Sequence, residues 1–151
     1  MEVAKIECGS NDDWVFFKIY GNENQRIIFQ IDNHESCCEW YGIEYFDNPT
    51  ELLDGKIKKI EYLDKTRTIE FMSTVSKESN PKQVSMFDNN ISEFCDGVQL
   101  LKITYRIHCG FENLYFHVML FNHHNGYYSH NYQIKWKHIP GLEDRNDKDR
   151  L

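Results

Sequence analysis

Apolar and polar residues alternate along much of this chain, and this period of two constrains the fold more than any other feature. In Val98–Ile107, Leu101 and Ile103 fall on one face of an extended chain, while Lys102 and Thr104 fall on the other. Such alternation is typical of a strand that buries one face and exposes the other. Antiparallel sheets are therefore the expected framework.

Short turn-rich spacers between such segments predict hairpins. Trp14–Tyr20 and Arg26–Asp32 are rich in β-branched and aromatic residues and flank the sequence GNENQ, so they form the first predicted hairpin. Lys56–Leu63 and Arg67–Ser73 flank DKT and form the second. These four segments are more than half of the strands that the pattern predicts.

The third predicted hairpin turns at the Asn-Gly pair at 125–126, which suits a type I′ turn because both residues tolerate a positive φ. A two-residue loop there pairs Phe121 with His130. One face of the hairpin then carries aromatic residues together with His117, His123 and His130. The simplest interpretation of His117 and His130 is that they are core residues whose nitrogens find hydrogen-bond partners.

Helical signal is scarce. Asn48–Gly55 is the best candidate for a short helix, Ser85–Cys95 can hold one more turn, and the polar, proline-containing Ser76–Gln83 predicts a loop. The predicted fold class is α+β, mostly antiparallel β, with about seven strands and one or two short helices. Residues 1–140 are expected to form a single globular domain. Residues 141–151 are highly charged, lack an apolar face and predict a disordered tail.

Composition limits the classes of function. Aromatic residues make up 15% of the 151 residues, which is too much apolar mass for a disordered chain. The formal net charge of -7 argues against nucleic acid as a general partner, although a local basic patch is left open. Neither a secretory signal nor an apolar run of the roughly 18 residues that a membrane helix needs is found. The odd count of five cysteines then favours reduced thiols inside a cell.

The segment DNHESCCE, residues 32–39, concentrates side chains that carry chemistry. Thiolate and imidazole are preferred zinc ligands, so His34 and Cys37 can supply two ligands of a zinc site that His123 and His130 would complete. Against this, no C-x-x-C occurs in the chain, and adjacent residues of a strand point to opposite faces.

A cysteine nucleophile is the second interpretation of this segment. Cys37 or Cys38 would be the nucleophile, His34 or His130 the base, and Asp32 the orienting group. The third and favoured interpretation is architectural. Asp32 ends a strand, the cysteines are small buried side chains, and His34 is held by the carboxylate of Asp32 or Glu35. No catalytic residue is assigned.

The pattern D-x-H-x-x-C-C-E, followed by LLDGKI and much later by NGYYSHNYQI, resembles a family of small uncharacterised proteins of phages and large DNA viruses. The matching residues are Asp32, His34, Cys37, Cys38, Glu39, Leu52, Leu53, Gly55, Ile57, Gly126, Tyr127 and Tyr128. The resemblance implies a viral origin and a single, mostly β domain, and it implies no activity. The chain departs from the pattern after Glu39, where WYGIEYFDN is more aromatic than the acidic segment of that family.

The common nucleotide-binding, hydrolase and zincin motifs do not occur in this sequence. We therefore expect a non-enzymatic viral interaction protein that acts inside the host cell, in the cytoplasm or nucleus, without a membrane, and a homodimer is plausible. Trp40, Tyr41, Tyr45 and Phe46 suit such an interface or simple core packing. The alternative is a small metal-binding or cysteine-dependent enzyme centred on the 32–38 segment. Alternate lysines in KWKH, residues 135–138, predict a solvent face, and a phosphate-binding patch there is left open.

Overall fold

The computed structural model describes residues 1–34, 40–78, 91–123 and 129–151, with the backbone alone for 76–78. These ranges form two antiparallel sheets, in the strand orders β1-β2-β3-β8-β9 and β4-β7-β6-β5. The strands are β1 Lys5–Ser10, β2 Trp14–Tyr20, β3 Arg26–Asp32, β4 Trp40–Phe46, β5 Gly55–Leu63, β6 Val98–Ile107, β7 Leu114–His123, β8 Asn131–Trp136 and β9 Arg145–Arg150. The helices are α1 Lys65–Glu78 and α2 Ile91–Phe94, with 3₁₀ turns at Pro49–Asp54 and Cys95–Gly97.

The two sheets pack face to face over the main hydrophobic core. Phe17 of β2 joins them, because its ring centroid lies 5.6 Å from that of Tyr45 in β4 and 5.7 Å from that of Phe116 in β7. Alternate residues of each strand fill this core, as the period of two predicts. The core side chains from the two sheets include Ile19, Ile27, Phe29, Ile31, Ile134, Leu101, Ile103, Val118 and Leu120.

The other face of the four-stranded sheet is covered by the helices. Met72 of α1 and Phe94 of α2 pack with Leu100, Met119 and Phe121 in a second cluster. The protein therefore has three layers, a five-stranded sheet, a four-stranded sheet and a helical layer, and the outer face of the five-stranded sheet is left without a covering element among the described residues.

The mostly antiparallel β character and the short helical turn after Asn48 are confirmed, but the described residues contain nine strands rather than about seven. The first predicted hairpin is confirmed, with β2 and β3 in the predicted bounds. Val98–Ile107 is also a strand, as predicted. No described helix is both long enough and apolar enough to cross a membrane.

The second predicted hairpin is wrong, since residues 67–73 belong to α1. The sequence TIEFM satisfies both periods, because Ile69 and Phe71 alternate while Thr68 and Met72, four residues apart, share the buried face of a helix. Asp64 favours the helix. Its side chain accepts a hydrogen bond from the Arg67 backbone N–H at 2.9 Å, which is the geometry of a helix N-cap. Residues 76–78 of the predicted loop continue this helix, and the rest of it lies outside the described residues.

The third predicted hairpin is also wrong, although its turn at 125–126 lies outside the described residues. Phe121 of β7 faces Gly42 of β4 and Val98 of β6, while β8 pairs with β3 and β9 in the other sheet. The reason is burial. Strand β7 has two apolar faces, whereas β8 has one polar face and suits the sheet with an open side.

Residues 145–150 form β9 instead of the predicted disordered tail. The alternation of side chains along β9 puts its charges on two faces. Asp147 turns towards the other sheet and accepts a hydrogen bond from the Tyr62 hydroxyl. The guanidinium of Arg145 lies 5.1 Å from the centroid of the same Tyr62 ring. Burial and the Asp147 carboxylate raise the pKa of Tyr62, so its hydroxyl keeps its proton. A charged segment can thus form a strand when it can pair with the edge of a sheet and when its inward side chain has a hydrogen-bond partner, as Asp147 has in Tyr62.

We expect the last strand to be necessary for stability. A chain that ends at Pro140 loses the β9 edge and the Glu143 carbonyl that accepts from the Trp136 indole N–H at 2.7 Å, so its urea midpoint should fall sharply or it should be insoluble. The milder Tyr62→Phe variant should lose about 1 kcal/mol of unfolding free energy. Tyr115→Phe, at a site that is 45% exposed, is the control and should change it by less than about 0.5 kcal/mol. An unchanged midpoint after truncation would mean that the tail is dispensable.

Candidate functional site

Asp32 and His130, two of the residues that the sequence singles out, contact each other. Asp32 is the last residue of β3, and His130 immediately precedes β8, the neighbouring antiparallel strand. The distance from His130 Nδ1 to Asp32 Oδ1 is 2.7 Å, and the side chains are 1% and 11% exposed. The same nitrogen lies 3.1 Å from the Asp32 carbonyl oxygen. The pair is therefore a buried contact between two strands.

Further hydrogen bonds and a ring stack hold this pair in place. The second carboxylate oxygen of Asp32 accepts from the Asn131 backbone N–H at 2.6 Å. The Tyr41 ring of β4 stacks on the His130 ring, with centroids 4.0 Å apart and planes 23° apart, and its hydroxyl donates to Asn33 Oδ1 at 2.8 Å. Because β4 belongs to the other sheet, these contacts connect the two sheets at the end of the core. Their arrangement is that of a structural joint.

His34, the other described residue of the predicted motif, is exposed and is not part of this joint. Of the two carboxylates expected to hold His34, that of Asp32 is engaged with His130 and the Asn131 N–H, and Glu35 lies outside the described residues. Asp32 does end a strand, as the architectural interpretation predicts. Cys37, Cys38 and Glu39 lie outside the described residues, as do Gly126, Tyr127 and Tyr128 of the viral pattern.

The proposed zinc ligands take different positions. His123 ends β7 in the four-stranded sheet, where its ring lies 5.7 Å from the Phe94 ring and 6.4 Å from the Trp40 ring. His130 is in the joint with Asp32. Within the described ranges, no three His, Cys, Asp or Glu side chains come together in a way that could hold a metal ion. A zinc site that uses Cys37 stays a prediction, since that residue is not among those described.

The other described cysteines and His117 are either packed in the interior or simply exposed. Burial raises the pKa of the Cys95 thiol to about 11, so this cysteine is held as a neutral apolar side chain. Cys8 and Cys109 are exposed free thiols. His117 stacks on the Phe71 ring at 3.9 Å, and burial together with the Lys102 ammonium lowers the pKa of His117 to about 4. His117 is thus a neutral packing residue at neutral pH.

A second candidate site lies on the outer face of the five-stranded sheet. We call it the basic face and define it by the residues that alternate with the core side chains on β1, β2, β3, β8 and β9. They are Lys5, Glu7, Gly9, Trp14, Phe16, Lys18, Tyr20, Arg26, Ile28, Gln30, Asp32, Asn131, Gln133, Lys135, Asn146, Lys148 and Arg150. Six of these side chains are basic and two are acidic, in a chain whose formal net charge is -7. The face therefore has the opposite sign to the protein as a whole.

The polar side chains of the basic face are ordered across the strands. Gln30 Nε2 donates to Gln133 Oε1, and Gln133 Nε2 donates to Asn146 Oδ1, both at 2.8 Å, so three strands carry a row of linked amides. Lys18 Nζ lies 4.3 Å from the centroid of the Phe16 ring, which is a cation–π contact.

Two cavities open on this surface. The larger, of about 610 Å³, is lined by Arg26, Lys135, Lys137 and Arg145 and by one carboxylate, that of Asp144. The smaller, of about 490 Å³, lies towards the other end of the sheet and is lined by Trp14, Lys148 and Arg150 among others. Basic side chains thus outnumber carboxylates in both linings, four to one in the larger cavity and two to one in the smaller, where the carboxylate is that of Asp149.

Sequence reasoning missed the basic face as a whole. Alternate lysines in KWKH indicate only the solvent side of one strand, and the positive residues of β1, β2, β3 and β9 lie far apart in the sequence. The strand order puts these residues side by side. That order includes the pairing of β8 with β3 and β9, whereas the predicted third hairpin paired β8 with β7. The available signal was the charge alternation within RNDKDR, residues 145–150.

We expect the Asp32–His130 contact to stabilise the fold. Asp32→Ala removes the carboxylate beside the buried His130 ring and leaves the Asn131 N–H without its acceptor, and it should cost about 3 kcal/mol of unfolding free energy in urea. His34→Ala, at an exposed position two residues away, should cost less than about 0.5 kcal/mol. Equal costs for the two variants would contradict the structural role. Loss of a bound metal or of an activity at unchanged stability would favour the chemical interpretation of the segment.

We also expect His117 to make stability depend on pH. The folded-state pKa is about 4 and the unfolded value about 6.5, so below pH 6.5 the unfolded chain binds a proton that the folded chain excludes. Stability should fall as the pH is lowered from about 6.5 to about 4. His117→Phe keeps a ring against Phe71 and should make this fall smaller when unfolding free energies are compared at pH 7 and pH 4.5. The same fall in both proteins would contradict the assignment.

Comparison with known proteins found no matching family model, and no curated protein or solved structure matches the chain significantly. The resemblance to the viral family therefore stays a prediction. A function for this chain has to be inferred from the contacts and charges of its own described residues.

Proposed function

We propose that this chain is a non-enzymatic interaction protein that binds an anionic partner through the basic face. The observation that carries the proposal is the segregation of charge, with six basic side chains and two acidic ones on one open sheet face of an acidic protein, and one of the two, Asp32, is buried against His130. Charges that share a face add their potentials, and a partner of opposite sign is attracted to that face regardless of the net charge.

The side-chain directions of two acidic residues in this sheet, Asp147 and Asp32, support the proposal. Asp147 alternates with the outward Lys148 and hydrogen-bonds to Tyr62 on the core side. Asp32 is nine-tenths buried and engaged with His130. On the face, Lys5 has the Glu7 carboxylate 3.6 Å from its ammonium. Asp147 and Asp32 are thus turned away from the basic face or engaged, while Asp144 and Asp149 line the two cavities.

An interaction role also fits the Asp32–His130 contact better than catalysis does. A catalytic base must reach the proton that it removes, whereas the His130 side chain is 1% exposed, stacked under Tyr41 and tied to Asp32. The alternative function, a metal-binding or cysteine-dependent enzyme centred on Asp32, His34, Cys37 and Cys38, gains no support from the two members that are described. Asp32 is turned to His130 and His34 is exposed.

Self-association is the less favoured form of interaction. Two copies that met through the basic face would bring like charges together, which costs free energy. Of the four aromatic residues considered as an interface, Trp40, Tyr41 and Phe46 pack on other rings, and only Tyr45, at 40%, is more than a third exposed. A partner of opposite charge is therefore the better candidate. The viral origin and the host-cell setting rest on the sequence resemblance alone.

Binding to inorganic polyphosphate tests the proposal directly. The protein should bind labelled long-chain polyphosphate at low salt, with an affinity that falls as salt is raised, because counterions compete for the basic side chains. The double variant Lys18→Glu, Lys135→Glu should lose about tenfold or more in affinity.

The matched control is Lys56→Glu, Lys58→Glu, which makes the same change in net charge at exposed positions of β5 in the other sheet. Its affinity should stay within about threefold of the wild type, since these lysines lie off the basic face. Equal losses in both double variants would show an effect of net charge only. No binding by the wild type at low salt would overturn the proposal, and melting curves establish that each variant is folded.

A further inference from the structure

Resting on the proposed function, we infer that the partner of the basic face is a single-stranded nucleic acid. Aromatic rings and basic side chains share this face. Trp14, Phe16, Lys18 and Tyr20 follow one another on the outer side of β2, and same-side residues of a strand are spaced by about 6.8 Å. Proteins that hold single strands combine such rings, which stack on bases, with a positive groove that follows the phosphates.

The neighbouring strands supply positive charge on both sides of the aromatic row. Lys5 lies across from Tyr20 on β1, and its ammonium is 5.5 Å from the ring centroid. Arg26 lies across from Tyr20 on β3, and Lys135 follows one strand further on. Phosphates on either side of stacked bases would thus find a cation within one or two strand spacings.

Gly9 leaves the Cζ edge of the Phe16 ring without a covering side chain, beside the Lys18 ammonium that lies 4.3 Å from the ring centroid. Gly9 of β1 is the register partner of Phe16, and a Cβ at position 9 would lie 3.4 Å from Phe16 Cζ. Any larger side chain there would therefore lie against the Phe16 ring, while glycine leaves that part of the ring to another ligand. The distance is an ordinary van der Waals contact, so a substitution at Gly9 should cover the ring without breaking the strand.

The linked amides add groups that can meet base edges. This row of amides runs from Gln30 on β3, beside the aromatic row, to Asn146 on the edge strand β9 and carries both donors and acceptors. Gln30 is 8% exposed, so Gln133 and Asn146 are its accessible members. An acidic protein would use the lysines but has no need of stacking rings. A duplex keeps its bases stacked on each other and would meet the face only through its phosphates. Exposed bases are thus the feature of a partner that uses all three parts of this surface.

The test compares ligands on the intact protein by fluorescence anisotropy. Labelled (dT)20 should bind about tenfold more tightly than polyphosphate of equal charge, and unlabelled 20-base-pair duplex should compete poorly. Phe16→Leu and Gly9→Leu should each weaken (dT)20 binding by about fivefold or more while polyphosphate binding changes by less than about twofold, because neither variant removes a charge. Tyr115→Leu is the matched control, since Tyr115 is an exposed ring on the other sheet with the Lys102 ammonium 4.1 Å from its centroid. It should leave (dT)20 binding unchanged.

The outcomes separate this inference from the proposed function. Equal affinity for (dT)20 and polyphosphate, with no effect of Phe16→Leu or Gly9→Leu, would overturn the nucleic-acid inference and leave the anion-binding function standing. Tighter binding of polyglutamate than of (dT)20 would overturn it in favour of an acidic protein. Equal binding of the duplex would overturn the preference for single strands. No binding of any polyanion would overturn both.

Discussion

The double burial of β7 is the constraint on which the rest of the structure depends. Phe116, Val118 and Leu120 face the other sheet, while Met119 and Phe121 on the opposite side face the helices. A strand with two apolar faces must lie inside a three-layer arrangement, because either face would otherwise meet water. This requirement puts α1 and α2 on the far side of the four-stranded sheet. It also leaves the five-stranded sheet as the layer whose outer face can carry charge.

How much of the fold could be predicted depends on the distance between the partners along the chain. The β2–β3 hairpin is local, and its two strands match the predicted bounds. The pairing of β8 with β3 joins segments about a hundred residues apart, and a nearby Asn-Gly pair offered a local alternative that long-range burial overrode. Residues 67–73 satisfied both periods, and the helix is favoured by the capping hydrogen bond of Asp64 and by the packing of Met72 on the four-stranded sheet. The charged strand β9 has no apolar pattern at all.

For the candidate site, too, the sequence predicts local features but not contacts between distant residues. The sequence singled out Asp32 and His130 by residue type, but it left open whether Asp32 contacts His34 or His130, because no local pattern decides between the two histidines. The structure pairs Asp32 with a residue 98 positions away, through a strand register that no local pattern contains. Zinc and cysteine chemistry at the 32–39 segment could be suggested by residue types alone. The mutual positions of side chains, which decide such chemistry, depend on the strand order.

The net charge argues against an anionic partner, whereas the placement of the basic side chains on one face argues for one. The placement is the more direct guide. The value of -7 averages over every surface, whereas a bound partner feels mainly the charges within about a Debye length, roughly 8–10 Å under physiological salt. Alternation along a strand turns a sequence of mixed charge into two faces of different sign, as Asp147 and Lys148 demonstrate. An acidic protein with one basic face is also expected to repel a polyanion from its other surfaces, which would orient the partner on that face.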